Sequence, residues 1–249
     1  MTNMESDKGA NGVPFHRFPA LYKLSPTLYG FGHRILRAVR IAGNMLFVVK
    51  NYRYIKRIKT SKLIESEYKE ELAELERITK DTHLRYPKYW AIDESSGLVV
   101  YSLIRSLKPD TVLETGVANG FSTRLILNAL NRNGKGRLTS VEISRDVGQL
   151  LKGVDKSRWR LVVGKPRENL KTALKGLGKI DVFIHDSDHS YGNMLFEFNS
   201  VIGKMSRDGV IVSDDVSRNR AFLEFAAKIG RRPLIYASSK KAFGVIELG

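Results

Sequence analysis

Cysteine is absent from all 249 residues. The chain therefore cannot form a disulfide, a zinc–thiolate site, an iron–sulfur cluster or a cysteine nucleophile. This absence fits a reducing compartment. Acidic residues are also scarce, 26 Asp and Glu against 42 Lys and Arg, a formal net charge of +16. Long apolar runs are lacking as well. The most apolar early run, Ile41–Val49, falls far short of the roughly 20 residues that span a bilayer. Residues 1–12 carry Glu5 and Asp7 and no apolar core, so they do not read as a secretory signal. The expectation is a cytoplasmic protein, at most peripheral to a membrane. With 42% hydrophobic and 27% charged residues, the composition is that of a folded globular chain.

The basic charge is uneven. Residues 1–60 hold 11 Lys and Arg and 2 Asp and Glu. Gly9, Gly12, Pro14, Pro19 and Pro26 mark an irregular arm up to residue 27. From about Gly32 to Lys59 the recurrence of Ile35, Ala38/Val39, Ala42, Met45/Leu46 and Val49 predicts a helix, with Arg34, Arg37 and Arg40 on another face. Three readings of residues 30–60 stand together: a helix packed on the main domain with a solvated basic face, a helix in the interface of an anionic membrane, or a nucleic-acid contact.

A second region, residues 61–249, divides into a helical lid (61–107) and a core (108–249). The lid predicts a helix from Ser61 to Lys80, with Leu63/Ile64, Leu72, Leu75 and Ile78 as its buried stripe. Glu67 and Glu71 repel at i,i+4 on this helix. Pro87 interrupts, and another helix runs from Glu94 to Leu107 before Pro109. After Asp110 strands alternate with helices. Strands are predicted at Thr111–Thr115, Arg137–Ile143, Trp159–Val163, Ile180–His185, Val210–Ser213, Leu234–Ala237 and Phe243–Leu248. Helices are predicted at Phe121–Asn131, Glu168–Leu174, Tyr191–Ile202 and Arg218–Ile229, with a short one from Arg145. This rhythm implies an α/β fold, a Rossmann-like seven-stranded and mostly parallel sheet with helices on both faces, plus the N-terminal helical extension.

Ligands of such a sheet bind beyond the carboxyl ends of its strands. Those ends collect polar and glycine residues: the turn Glu114-Thr-Gly116-Val-Ala118-Asn119-Gly120-Phe-Ser122, then Glu142, Gly164, Asp186-Ser-Asp188-His189 and Asp214-Asp215. Gly116 and Gly120 let the backbone approach a ligand with no Cβ in the way, and the helix starting near Phe121 aims its amide dipole at the same space. Glu114 is placed to meet a cationic amine of a ligand, and Glu142 to accept from both hydroxyls of a ribose. The turn lacks the G-x-G-x-x-G spacing of dinucleotide binders. Asp186, Asp214 and Asp215 end neighbouring strands. Converging carboxylates repel and raise one another's pKa, which a hard divalent ion such as Mg²⁺ would relieve. The alternative is that Asp215 caps the next helix and Asp214 makes local bonds only. His189, beside Asp186 and Asp188, is the candidate general base. His185 lies inside a strand and reads as structural, and Tyr191 either lines the acceptor pocket or starts a helix.

Three segments carry a family resemblance. Val112–Thr123 is similar to a cofactor motif E-x-G-x-x-x-G-x-S, Asp181–Tyr191 to a fourth-strand D-x-x-x-x-D-x-x-H-x-Y, and Asp208–Val216 supplies the acid pair. In this order they resemble class I S-adenosylmethionine-dependent methyltransferases, nearest to small-molecule O-methyltransferases of the cephalosporin hydroxylase-like and sugar or macrolide type. The resemblance spans about residues 92–249 and leaves out the first 60. It implies that Glu114, Gly116, Gly120 and Ser122 hold the methionine end of the cofactor and Glu142 the ribose, with Ala118, Asn119, Gly164 and Asp186 completing the cofactor site. Relatives often place an acid after the third-strand glycine, but here Lys165 and Pro166 follow Gly164, so the adenine contact falls to backbone or another side chain. It further implies Asp186, Asp214 and Asp215 as ligands of Mg²⁺ or another divalent ion, and His189 with Asp186 as the catalytic pair. The activity so implied is metal-assisted O-methylation of a small or lipid-linked hydroxyl compound. An RNA methyltransferase is the rival, against which stands the missing Asn/Asp-Pro-Pro-aromatic motif. A further rival is a non-catalytic membrane- or nucleic-acid-binding protein on the same fold. A homo-oligomer is compatible with all of these.

Overall fold

A computed structural model describes residues 60–237 and 241–249. The basic arm and helix expected within residues 1–60 lie outside the described residues, apart from Thr60. Among the described residues no helix is long and apolar enough to cross a membrane.

The chain enters through α1 (Lys62–Lys80), whose N-cap Ser61 accepts from the Ile64 amide at 3.2 Å. A strap follows, containing one 3₁₀ turn (Lys88–Trp90). Asp93 caps α2 (Glu94–Leu107) by accepting from the Ser96 amide at 2.8 Å. The helix ends at Lys108 in the left-handed region, where Pro109 follows. Then come β1 (Thr111–Thr115), α3 (Phe121–Asn133), β2 (Arg137–Glu142), β3 (Trp159–Val163), α4 (Glu168–Lys175), β4 (Ile180–His185), α5 (Tyr191–Val201), β5 (Met205–Ser213), α6 (Ala221–Lys228), β6 (Leu234–Ala237) and β7 (Ala242–Glu247).

The strands form one sheet in the order β3-β2-β1-β4-β5-β7-β6. β1 to β5 pair in parallel, whereas β7 runs antiparallel to both β5 and β6. Alternation along the strands explains the two cores. Leu113, Phe183 and Ile211 face a layer built with α4, α5 and α6. Val112, Val182, Ile184, Val210 and Val212 face the layer of α1, α2 and α3. Period-2 alternation with both faces apolar is the pattern of a sheet covered on both sides.

Three sequence expectations change. Leu63 is 65% exposed and contributes nothing to the α1 stripe. Glu67 and Glu71, expected to repel in solvent, are instead buried and turned toward basic residues of α2 and α3. Arg105 grips Glu67 through two bonds of 2.7 and 2.9 Å, and Asn128 donates to Glu71. Arg132 lies within 3.6 Å of Glu71. A bidentate guanidinium–carboxylate pair supplies the hydrogen bonds that burial would otherwise remove. The helix expected from Arg145 is only a 3₁₀ turn (Gln149–Leu151). Its backbone is committed elsewhere: the Gly148 amide bonds Ala118 O, and the Leu150 amide bonds Asn119 O, both at 2.8 Å.

Candidate active site

The carboxyl end of β1 passes into α3 through the glycine turn. Gly116 has φ +87° and Gly120 φ +88°. A Cβ on Gly116 would lie 2.1 Å from the carbonyl oxygen of Asp186, so the β4 loop and the turn touch at that point. Ala118 also takes a positive φ, +44°, which is uncommon for a residue with a side chain.

Two carboxylates build this turn. Glu114 is fully buried, and it accepts from the hydroxyls of Ser122 and Ser140 at 2.7 Å and of Thr123 at 2.8 Å. Both its oxygens are thereby engaged by β2 and α3. Its role in this structure is to tie strand to helix from below, in place of the ligand-amine contact expected from the sequence; Ser122 is likewise turned inward onto it. Burial pushes the Glu114 carboxyl up to about 7, against the pull of those three hydroxyls. Glu142, at the end of β2, accepts from the Val117 amide at 2.9 Å and the Ala118 amide at 3.3 Å through one oxygen, and from the Ile143 amide through the other. It remains partly exposed beside the turn, with lone pairs to spare. Gly164, at the end of β3, donates to Glu142 O and packs on Asn169.

Asn119 has a use the sequence did not suggest. Its Oδ1 accepts from the amides of Arg85 and Tyr86 at 3.1 and 3.0 Å, and its Nδ2 donates to Tyr86 O at 2.7 Å. The side chain thus pins the strap between α1 and α2 to the glycine turn. The strap and turn enclose a cleft of about 520 Å³ lined by residues that include Leu84, Ala91, Ile92, Asn119, Phe121 and Leu150. This volume lies in the range of small-molecule sites. Glu142, Asp186 and His189 do not line it; they lie beyond the turn, at the sheet edge.

At that edge β4 and β5 deliver the acidic group. The side chains of Asp186, His189 and Asp214 each offer one ligand atom, and these atoms lie within 4.8 Å of one another. His189 Nε2 is 3.7 Å from Asp186 Oδ1, and Asn219 donates to the His189 carbonyl at 2.8 Å. Asp214 is completely buried. Lys241 Nζ sits 2.7 Å from its Oδ2. Asp215, expected as a third carboxylate ligand, falls outside the group. It has φ +51°, and its carboxylate pairs with Arg218 at 3.2 Å. Its Oδ2 nevertheless stays 4.0 Å from His189 Nε2, at the margin of the group.

Burial, reinforced by the negative charge of Asp214, raises the Asp186 carboxyl well above the usual range. Burial also lifts Asp214 to about 6, although the Lys241 ammonium opposes it. Burial pulls Lys241 down, but Asp214, Asp215 and Asp186 together hold it above the ordinary lysine value. Burial and the neighbouring His185 hold His189 well below the usual histidine value, so its imidazole is neutral. Three buried polar atoms lack a partner here: Asp186 Oδ1, Asp214 Oδ1 and His189 Nδ1. Orphaned donors and acceptors of this kind call for a ligand, water or ion. The donor set therefore fits a divalent cation, with Asp186 and Asp214 as the carboxylates Mg²⁺ prefers.

Behind this group, His185 is buried as expected and bonds Glu197 through Nδ1 at 2.7 Å. Glu197 also accepts from Thr115, Ser187 and Asn193. It thus ties β1, the β4 loop and α5 together. Sequence reading missed Glu197 and Lys241. The only signal for Glu197 was an acid three positions from Met194 and adjacent to Phe198, on the apolar face of its helix. Tyr191 starts α5, is 46% exposed, and bonds Glu224 at 2.6 Å.

Residues 113–216 match the protein family described as "Methyltransferase domain". No curated protein matches the chain. Among solved structures, the chain is similar to the O-methyltransferase from Bacillus cereus in complex with SAH: 16% identity, 85% of this chain and 99% of that one, TM-score 0.57. It is also similar to the O-methyltransferase TomG from Streptomyces achromogenes, involved in tomaymycin synthesis, in complex with SAM: 16% identity, 84% and 96%, TM-score 0.55. A cofactor-bound protein from MTB aligns at 19% identity over 77% and 92%, TM-score 0.54. Residues 113–216 thus match a methyltransferase-domain family, and the chain shares the Rossmann-like fold of these O-methyltransferase structures.

Proposed function

We propose that this chain transfers a methyl group from S-adenosylmethionine to a hydroxyl oxygen of a small or lipid-linked acceptor, assisted by a divalent cation. The contact between Gly116 and Asp186 carries this reading, because it sets the cofactor turn directly against the acidic group. The SAM- and SAH-bound neighbours support the donor.

Glu142 would hold the cofactor ribose, and the positive-φ turn at Gly116 and Gly120 would shape the backbone that meets its methionine end. The bound cofactor supplies an electrophilic methyl group. Asp186 and Asp214 would hold the cation, which supplies Lewis acidity toward the acceptor hydroxyl. His189, neutral and poised at the same edge, accepts the hydroxyl proton. Holding acceptor and donor in line contributes to the rate.

Calorimetric titration of the full chain with S-adenosylhomocysteine tests the donor. Binding is expected, and Glu142→Ala should weaken it at least about tenfold by removing charged hydrogen bonds. His189→Ala should leave it within about threefold, because a proton acceptor adds nothing to cofactor affinity. Absence of binding both with and without Mg²⁺ overturns the reading. Release of S-adenosylhomocysteine across a panel of aromatic, sugar and lipid-linked hydroxyl compounds then identifies the acceptor.

A further inference from the structure

Lys241 stands in a position that the parallel strands cannot supply. They bring their carboxyl ends to the ligand edge, so their side chains arrive there with whatever residues end them. β7 is antiparallel, with Gly244 opposite Ser213, and it brings its amino end instead. The Val216 amide bonds Ala242 O, which fixes the start of β7 beside the acid pair. Lys241, the residue before β7, therefore enters the acidic group from the side. Its Nζ donates to Asp214 Oδ2 at 2.7 Å and to the carbonyl oxygen of Ala91 at 2.9 Å. Its side chain is only 15% exposed and that of Asp214 not at all. Ala91 belongs to the strap and lines the cleft. One ammonium thus touches both the floor of the acidic group and the wall of the cleft. It takes a single oxygen of Asp214 and leaves Oδ1 buried and unpartnered, in the same group as Asp186 and His189.

We propose that Lys241 is the resident cation of this site: it neutralises Asp214, weakens the hold of the site on a divalent ion, and ties that charge to the strap through Ala91. The inference rests on reading the Asp186–His189–Asp214 group as the cation and acceptor site. A divalent ion on Asp214 Oδ1 shares its carboxylate with an ammonium on Oδ2. Like charges this close, in a buried setting, repel strongly. An ion held by Asp214 would therefore be bound loosely.

The test is binding of Mn²⁺ alone to the full chain, followed by calorimetry and by the electron paramagnetic resonance of free Mn²⁺. Lys241→Gln removes the charge while keeping a donor able to reach Asp214 and Ala91. Lys241→Met removes both, and Lys241→Arg retains the charge. The Gln and Met variants are expected to bind Mn²⁺ at least about tenfold more tightly than the parent, and the Arg variant to stay close to it. Neutral variants that bind Mn²⁺ no more tightly than the parent overturn the proposal. Should the Met variant fail to fold, the Gln variant decides alone. A chain that binds S-adenosylhomocysteine but shows no change at Lys241 refutes this inference and leaves the methyltransferase reading intact. Failure to bind S-adenosylhomocysteine strikes that reading itself.

Discussion

Glu114 shows how a motif residue can be structural and still leave a measurable trace. Its carboxyl is buried under the glycine turn, and burial lifts it to about 7 from an ordinary 4.5. Below pH 4.5 the group is protonated in both folded and unfolded chains, and it costs nothing. Between pH 4.5 and 7 the unfolded chain releases the proton while the folded chain keeps it, so stability falls as pH rises. Above pH 7 both states are ionised and the loss is complete. A shift of this size corresponds to about 3 kcal/mol. Glu114→Gln remains neutral, and its amide can still bond the three hydroxyls. The stability of this variant relative to the parent should therefore rise by about that amount between pH 4.5 and 8, as read from urea unfolding at several pH values. A constant difference across the range would mean that Glu114 does not carry a raised pKa.

At the scale of elements, the strap from residue 81 to residue 93 is held at two places, by Asn119 near its start and by Lys241 near its end. Apolar packing adds to these bonds, since Ile92 is buried in the layer of α1, α2 and α3 and Leu84 packs against it. Tyr89 and Trp90 are 76% and 51% exposed, and the Arg85–Asp146 pair lies at the surface, where an ion pair contributes little. Asn119→Ala removes three hydrogen bonds between the strap and the glycine turn. The expected result is faster amide exchange at Arg85 and Tyr86, with unchanged protection in β1 and β4, and a global loss of about 1–2 kcal/mol. Unchanged exchange at those two amides would show that the strap is held by other contacts. The strands themselves were legible because each is a short apolar run with polar or glycine residues at its carboxyl end. Thr111–Thr115 and Ile180–His185 stand where the run lengths place them. The strap attachment was not legible, since an asparagine in a glycine turn looks alike whether it faces a ligand or another loop.

The whole molecule combines a site that is readable one residue at a time with contacts that depend on the closed sheet. Asp186, His189 and Asp214 could be gathered from the sequence because each follows a recognisable strand. Lys241 could not: in a chain with 42 Lys and Arg, one lysine before the last strand carries no signal until the antiparallel β7 places it on Asp214. Glu67 and Glu71 were misread for a related reason, since their arginine partners come from α2 and α3, far away in sequence. The basic excess remains to be assigned at this scale. The first 60 residues hold 11 Lys and Arg against 2 acids, and clustered charge of this kind adds about 1 kcal/mol per residue at an anionic lipid surface. If residues 30–60 serve an interface role, the full chain should co-float with vesicles containing phosphatidylserine and not with phosphatidylcholine alone. Replacing Arg34, Arg37, Arg40, Lys50 and Arg53 by Gln should then reduce binding at least about a hundredfold, and raised salt should act in the same direction. Flotation that is equal on neutral vesicles, or untouched by these five substitutions, removes the membrane from the account and leaves the basic segment to a solvated face or to nucleic acid.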